Sequence, residues 1–373
     1  MSFSQHFSQT YAEARAKFIA AAEALRLDVE THPHPMLGRD GEPLAMDVVR
    51  DGPKDARALL IVSSACHGVE GFCGSGVQTL LLRDAAWRDA VRDAVRDAVR
   101  DVVRERGVAV LYIHALNPYG FSWWRRTTHE NVDLNRNFHD FTQPPPRNAG
   151  YDELAGVLVP PTWPASDEAN AAVQRFVQAH GKAALQAAIS GGQYEHPQGL
   201  FYGGRNPTWS HLALRQVLRE HATRCTRLGW IDLHTGLGPS GVGERIFACR
   251  DDAAALQRAR AWWGDQVTSI YDGSSSSAPL KGLMWLAAYD ECAQAEYTGI
   301  ALEYGTLPIM DMMDALRADQ WAELHPEAPA AQLAAIKRHT RDAFYTDTDV
   351  WKQRIAEQAL DAAHGALRGL LAA

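Results

Sequence analysis

The sequence predicts a three-layer α/β/α protein with a mixed, mostly parallel central sheet. Short apolar runs of strand length alternate with longer stretches of helical periodicity, which is typical of α/β folds. Two of the runs, "RALLIVSSA" and "VAVLYIHAL", are almost entirely apolar, as strands are when helices cover both faces of a sheet. Polar residues stand directly after several of the strands, where open α/β sheets hold their ligands.

The chain begins with an amphipathic helix in "MSFSQHFSQTYAEARAKFIAAAEAL", which has neither the basic head nor the apolar middle of a signal peptide. "RLDVETHPH" and "PLAMDVVRDG" are predicted as strands joined by the turn "PMLGRDGE". After "RALLIVSSA" we expect one long helix from Ser75 to about Arg106. It contains a Val-Arg-Asp-Ala repeat, whose aspartates and arginines stand three residues apart and support a helix. The repeat fits a solvated helix face better than a partner-binding stripe.

The next strand, "VAVLYIHAL", ends at "NPYG". A proline-rich segment follows, with "PPP" at 144–146 and "PPTWP" at 160–164, and we expect it to be a surface excursion. Ser166 then begins a well-capped helix over "SDEANAAVQRFVQAH". "GWIDLH" and "GIALEYG" are two further short strands, and helical patterns dominate from Met310 onward.

Composition and charge argue against several classes of protein. The net charge of −8 and the pI near 6.0 disfavour a surface for nucleic acid or an anionic membrane. No apolar run approaches the ~20 residues that span a bilayer. The five cysteines are scattered and form no CxxC pair, which favours reduced thiols in a cytoplasm over a disulfide framework. The oligomeric state stays open.

Four predicted strands are each followed or ended by a residue that can take part in chemistry. His67 and Glu70 follow the first, Asn117 follows the second, His234 ends the third and Glu303 ends the fourth. His67 and Glu70 can bind one metal ion, and the neighbouring glycines would let the backbone fold tightly around it. The alternative is a histidine that caps a strand and a glutamate in the first turn of a helix.

His234, in "DLHTG", is a third candidate metal ligand. Asp232 lies on the same side of the strand and can hold the second ring nitrogen of that histidine. Two histidines and one carboxylate with an open position form a known catalytic zinc set. In the loop "RRTTHENVDLNRNF", Asn135 and Arg136 stand side by side, which suits planar recognition of a carboxylate. A salt-bridged loop without a ligand is the alternative.

Taken in order, "HGVE", "VDLNRNF", "DLHTG" and "ALEYG" resemble the carboxypeptidase A-like zinc metallopeptidase superfamily, which also contains aspartoacylase and succinylglutamate desuccinylase. "HGVEGFCGSGVQ", "NPYGF" and "GLFYGG" are similar to a largely uncharacterised bacterial branch with cytoplasmic members. The resemblance spans about residues 60–310. It implies one carboxypeptidase-like catalytic domain over residues 1–373, with a core of about 28–310 and C-terminal helices over 310–373.

The resemblance also implies a set of site residues. His67, Glu70 and His234 would bind Zn²⁺, and Glu303 would be the general base.

Two further pairs of residues would act on the substrate. Asn135 and Arg136 would hold its carboxylate. Arg126, or else its neighbour Arg125, would polarise the scissile carbonyl. The substrate-capping tyrosine of the digestive enzymes has no clear counterpart here, and its candidates are Tyr271, Tyr289 and Tyr297.

The implied activity is hydrolysis of an amide bond next to a free carboxylate, in peptides or amino-acid conjugates. An N-acyl-amino-acid amidohydrolase of the aspartoacylase type is the nearest alternative, because it would use the same machinery. A non-catalytic protein that retains the metal is the alternative from another class.

Overall fold

The computed structural model describes residues 3–100 and 107–372, and for residues 96–100 it describes the backbone only. Within these residues, one mixed sheet contains seven strands. They are β1 (Val29–Leu37), β2 (Pro43–Asp51), β3 (Ala58–Ser64), β4 (Val108–His114), β5 (Arg227–Ser240), β6 (Gly243–Phe247) and β7 (Glu296–Gly305).

The strand order across the sheet is β1-β2-β4-β3-β5-β7-β6. β4, β3, β5 and β7 are parallel to one another, whereas β2 pairs with β4, β1 with β2 and β6 with β7 in antiparallel fashion. This confirms the predicted mixed sheet with a parallel centre. Because β3, β5 and β7 are adjacent, their carboxyl ends meet at one edge of the sheet, where a ligand site is expected.

The helices found in the described residues are α1 (Tyr11–Ala24), α2 (Gly71–Arg83), α3 (Ala85–Arg100), α4 (Pro118–Trp123), α5 (Ala149–Leu158), α6 (Asp167–His180), α7 (Lys182–Ser190), α8 (Trp209–His221), α9 (Ala253–Trp263), α10 (Leu286–Glu291), α11 (Ile309–Leu324), α12 (Ala330–Phe344) and α13 (Asp349–Ala372). None of these helices is both long enough and apolar enough to cross a membrane.

The two faces of the sheet have different surroundings. Every residue of β3 and β4 is buried, as their apolar sequences predict. On β5, Gly229 faces Trp262 of α9 and Leu370 of α13. Its neighbour Trp230 points to the opposite face, because side chains alternate along a strand. That opposite face lines the large cavity described below.

The helix expected from Ser75 to about Arg106 is instead two helices, and the first begins earlier, at Gly71. The chain breaks at Asp84, whose backbone is extended, and its Oδ1 accepts a hydrogen bond from the backbone N–H of Trp87 at 2.8 Å. Asp84 thus caps the second helix, and the helical periodicity on either side hides the break. Asp89 and Arg92 form an ion pair of 2.8 Å. The other charge pairs of the repeat lie outside the described side chains.

Two further elements differ from the prediction. The edge strand β6 was not predicted, because its five residues carry little strand signal. The proline-rich segment is not a simple surface excursion, because it contains α5, capped by Asn148, whose side chain accepts a hydrogen bond from the N–H of Tyr151 at 3.0 Å. Leu158, at the end of α5, lines the cavity.

Candidate active site

Three side chains meet at the carboxyl edge of the central strands. His67 follows β3, Glu70 ends a short 3₁₀ turn, and His234 lies in β5. Glu70 bridges the two histidines, since its Oε1 is 2.8 Å from His67 Nδ1 and its Oε2 is 2.9 Å from His234 Nδ1. All three residues are buried, and one ligand atom of each lies within 4.8 Å of the others. The three candidate ligands are therefore close enough to hold one metal ion.

A second carboxylate contacts the outer nitrogen of each histidine. His234 Nε2 is 2.6 Å from Asp232 Oδ2, as the spacing in "DLH" led us to expect, and Ser63 donates a hydrogen bond of 2.6 Å to Asp232 Oδ1. His67 Nε2 is 3.2 Å from Asp133 Oδ1. Such contacts fix the orientation of a metal-binding imidazole and raise its basicity. They leave Nδ1 of each ring directed at Glu70.

Asp133 is a functional candidate that the sequence interpretation missed. Its Oδ1 also accepts a hydrogen bond from the N–H of Asn135 at 3.0 Å, and its Oδ2 accepts one from Nε of Arg126 at 2.9 Å. One buried carboxylate therefore orients His67, Arg126 and the turn that carries Asn135. The available signal was an aspartate two residues before an asparagine, the spacing at which aspartate caps a turn.

The loop after β3 is held by tight backbone packing. A Cβ at Gly68 would lie 2.1 Å from the carbonyl carbon of Gly120, so no larger residue fits there. The N–H of Gly68 donates to the carbonyl oxygen of Arg126 at 3.1 Å. This glycine thus permits close contact between the short 3₁₀ turn and α4. Asn117 caps α4 by accepting a hydrogen bond from the N–H of Gly120 at 2.9 Å.

The electrostatics of the three candidate ligands suit a cation. Although burial opposes it, the two histidines lower the pKa of Glu70 to about 2. Burial also opposes ionisation of His234, but Asp232 and Glu70 raise its pKa well above the ordinary value. The Glu70 carboxylate therefore stays ionised and favours positive charge on the imidazole of His234. A metal ion can supply that charge when it displaces the proton. The donor set thus fits a divalent cation.

Glu303 lies beside this set without a hydrogen bond to it among the described residues. Its backbone is the register partner of His234 in the β5–β7 pairing. Its Oε1 accepts a hydrogen bond from the N–H of Leu237 at 3.0 Å, and it lines the cavity. Burial, followed by the negative charge of Glu70, raises the pKa of Glu303 to about 7. A carboxyl group with such a pKa can exchange a proton near neutrality.

The two adjacent arginines point to different surroundings. Arg126 lines the cavity, with Nη2 2.7 Å from His67 Nε2 and Nη1 3.4 Å from Glu70 Oε1. Arg125 instead forms ion pairs with Asp319 at 3.3 Å and Glu323 at 3.0 Å, both on α11. The structure brings Arg126 to the candidate ligands and places Arg125 in a buried structural network.

Arg136 and Asn135 both line the cavity, and each has hydrogen-bond donors with no partner among the described residues. Nε and Nη2 of Arg136 donate to the carbonyl oxygen of Ser190, at 3.0 and 2.6 Å, and Nη1 donates to that of Asn135 at 2.8 Å. Of the five N–H groups of an arginine, one on each terminal nitrogen is left. Gly192, at φ +94°, permits this arrangement, because a Cβ there would lie 2.7 Å from Cδ of Arg136. The Asn135 side-chain oxygen accepts from the N–H of Met284 at 2.9 Å, which leaves its amide nitrogen available.

A cavity of about 620 Å³ connects these residues. One wall is the sheet face that carries His234 and Glu303, and most of the remaining wall is apolar. Helices α5, α6, α7 and α11 close it on another side, and their contributions include Leu158, Val173, Leu185, Ile189, Met313 and Leu316. No pattern in the sequence predicted that α5–α7 would help to form this wall.

The three candidate capping tyrosines differ in whether they line the cavity. Tyr297 is buried and lines the cavity. Tyr271 is exposed, and its hydroxyl donates to the carbonyl oxygen of Cys249 at 3.0 Å. The hydroxyl of Tyr289 accepts a hydrogen bond from the N–H of Arg250 at 3.1 Å. Tyr297 is the one of the three with a place in the cavity.

Solved structures with a similar fold include carboxypeptidase relatives. Bovine thrombin-activatable fibrinolysis inhibitor, solved in complex with tick carboxypeptidase inhibitor, superposes with a TM-score of 0.50 at 12% identity, over 98% of this chain and 98% of that chain. The carboxypeptidase A from Helicoverpa armigera gives 0.41 at 14% identity, over 92% and 75% of the two chains. A metallo-carboxypeptidase from Burkholderia cenocepacia gives 0.35 at 13% identity, over 87% and 67%. The last two likenesses are weak, and the first shows the fold alone.

The chain is an α/β protein of the carboxypeptidase A-like fold, which confirms the predicted fold class. It belongs to the family described as "Protein of unknown function (DUF2817)", whose model matches residues 7–358. None of the curated proteins compared matches the sequence.

Proposed function

We propose that the protein is a zinc-dependent, metallocarboxypeptidase-like hydrolase that cleaves an amide bond next to a free carboxylate in peptides or amino-acid conjugates. One observation carries the proposal. A single cavity is lined by the three candidate ligands, by Glu303 and by the free donors of Asn135 and Arg136. A binding site without catalysis would not require Glu303, a buried carboxyl group with a pKa near neutrality.

His67, Glu70 and His234 would hold the metal. Two imidazoles and one carboxylate favour zinc, with room left for water or substrate. When bound, zinc supplies Lewis acidity, which polarises a carbonyl group and lowers the pKa of water.

The chain's own residues provide the rest of the chemistry. Glu303 accepts a proton from the attacking water and passes it to the leaving nitrogen. Arg126, beside His67, faces the position where negative charge develops on the carbonyl oxygen and stabilises it. The terminal nitrogens of Arg136, together with the Asn135 amide, bind the substrate carboxylate in a planar, bidentate manner.

The wall formed by α5–α7 favours short substrates. A chain end or a small conjugate needs to enter the cavity from one direction only, whereas the middle of a long chain would also have to run past the wall of helices that line it. An N-acyl-amino-acid amidohydrolase is a second candidate function, because a small acylated amino acid would also fit a cavity with this wall.

The test is a substrate profile of the purified, zinc-loaded protein. C-terminally free peptides and N-acyl amino acids are each compared with their amidated forms. We expect turnover of one free series and little of its amidated form, and the preferred series decides between peptidase and acylase. Absence of turnover in both series would refute the proposal.

A further inference from the structure

Four residues on one face of the sheet are joined by a series of hydrogen bonds that ends at a candidate metal ligand. Trp230, Asp232 and His234 project from the same face of β5, because side chains alternate along a strand, and Ser63 on β3 is the register partner of Asp232. Trp230 Nε1 is 2.7 Å from Ser63 Oγ, which is 2.6 Å from Asp232 Oδ1. Asp232 Oδ2 is in turn 2.6 Å from His234 Nε2. The series therefore connects Trp230, part of the cavity wall, with His234.

The indole N–H of Trp230 sets the direction of every hydrogen bond in this series. An indole nitrogen can only donate, so Ser63 Oγ accepts from it. The hydroxyl of Ser63 has a single hydrogen, which it donates to Asp232 Oδ1. The other oxygen of Asp232 accepts the hydrogen on Nε2 of His234. Nδ1 is therefore the nitrogen of His234 that is left for a metal ion, because the hydrogen bond made by one ring nitrogen decides which nitrogen is the ligand.

The carboxylate of Asp232 is held by fewer groups than that of Asp133, its counterpart at the other candidate histidine. Asp133 accepts hydrogen bonds from Nε of Arg126 and from a backbone N–H. For Asp232, Ser63 is the one hydrogen-bond donor besides His234 among the residues that the structure describes. Ser63 is 0% exposed and does not line the cavity. The orientation of Asp232 therefore depends on this one buried hydroxyl.

We infer that Ser63 and Trp230 are positioning residues for the proposed metal site. They hold Asp232 so that His234 keeps its hydrogen on Nε2 and presents Nδ1 to the metal ion. The inference rests on the proposed function, because it takes His234 as a ligand. Both residues act through Asp232 and not by contact with the metal ion. Trp230 connects two parts of the site, since its ring forms part of the cavity wall while its N–H begins the series that orients the ligand.

The test is the zinc affinity of the purified full-length protein, measured by titrating the metal-free form with zinc in competition with a chelator. Ser63→Ala should raise the dissociation constant about 10-fold, the lower end of the loss typical when a partner of a metal-binding histidine is removed. Ser64→Ala is the matched control, because Ser64 is also fully buried but donates to Gln78 at 2.8 Å instead. It should keep the wild-type value. An unchanged dissociation constant in Ser63→Ala, or an equal rise in Ser64→Ala, would overturn the inference.

A spectroscopic measurement separates positioning from a loss of packing. In the zinc-loaded protein, NMR spectra of isotope-labelled histidine report which ring nitrogen of His234 carries the hydrogen. The Nε2–H signal should be present in the wild type and in Ser64→Ala, and it should be lost to exchange with solvent in Ser63→Ala. Ser63→Thr keeps the hydroxyl and should restore both the signal and the zinc affinity. A hydrogen on Nδ1 of His234 in the zinc-loaded wild type would overturn the inference.

Trp230→Phe is the second variant, and it decides alone if Ser63→Ala does not fold, as judged by circular dichroism. It keeps an aromatic ring in the cavity wall, removes the N–H, and should also weaken zinc binding. In the Ser63→Ala background the same change should add nothing, because both residues act through one series of hydrogen bonds. Wild-type zinc affinity in Trp230→Phe, or additive losses in the double variant, would contradict the inference.

The failure of this inference can be told apart from the failure of the proposed function. Weaker zinc binding in Ser63→Ala, together with no hydrolysis by the zinc-loaded wild type, would refute the proposed function and support the inference. Hydrolysis by the wild type, with equal zinc affinity in the wild type and Ser63→Ala, would do the opposite.

Discussion

His234 and Glu303 are direct register partners on the parallel strands β5 and β7. A candidate metal ligand and the candidate base are therefore held at the same level of the sheet by backbone hydrogen bonds, not by contact between their side chains. Changes to one side chain should leave the position of the other intact. This separation makes the two roles testable one at a time.

Glu303→Gln should keep the metal and the fold but lower kcat by about 10²–10⁴-fold, because the amide cannot accept a proton. Steady-state kinetics and elemental analysis of the same sample check both parts. Glu244→Gln is the matched control, since Glu244 is the register partner of Glu303 on β6 but does not line the cavity. Loss of metal in Glu303→Gln would instead make Glu303 a ligand.

Native protein should contain close to one zinc per chain, and His67→Ala and His234→Ala should each lose it together with activity. Each histidine supplies one of three ligand atoms, and a site with two ligands binds zinc weakly. Inductively coupled plasma mass spectrometry measures the content. His180→Ala, an exposed histidine at the end of α6, should retain the wild-type content. Full metal content in either ligand variant would contradict the assignment.

Amidation of the substrate carboxylate should reduce kcat/KM by the equivalent of about 2–5 kcal/mol, because the two free N–H groups of Arg136 would lose their anion in a buried place. This change is made on the substrate, so the fold of the protein is not affected. Equal kcat/KM for free and amidated substrates would exclude both the carboxypeptidase-like and the acylase-like function.

Arg125→Leu should lower the free energy of unfolding by about 3 kcal/mol, because it removes one partner of a buried ion pair. Asp319 and Arg125 each have side chains that are only 5% exposed. Urea denaturation measures the loss. Arg341→Leu removes an arginine from a pair in which Asp342 is exposed, and it should change stability by less than about 1 kcal/mol. Similar losses in both variants would contradict the buried network.

His114 should make the protein less stable in acid. Burial lowers its pKa to about 4, so between about pH 6.5 and pH 4 the unfolded chain binds a proton that the folded protein does not. Stability is therefore lost as the pH falls through this window, by about 1.4 kcal/mol per pH unit. In metal-free protein, His114→Gln should remove this part of the slope in urea denaturation. An unchanged slope in His114→Gln would disprove the linkage.

Much of this arrangement could be predicted from the sequence, because it follows from strand order and periodicity. Continuous apolar runs predicted β3 and β4, and residues at strand ends predicted that His67, His234 and Glu303 would lie at one edge of the sheet. What could not be predicted depends on tertiary contacts. Arg125 and Arg126 are adjacent in an irregular loop, and only the packing of α11 determines which of them faces the cavity. The helix α5 was not predicted, because the prolines on either side of it indicated an irregular segment.

Asp133 connects two parts of the candidate site. The same carboxylate contacts the ring of His67 and holds the turn that carries Asn135, the amide proposed to bind the substrate. The proposed metal site and the proposed anion site therefore share a residue, and we expect their free energies of binding to be coupled. Linkage of this kind is reciprocal: if a bound metal ion ordered Asp133, it would strengthen the binding of a carboxylate ligand, and the ligand would strengthen the binding of the metal ion by the same factor.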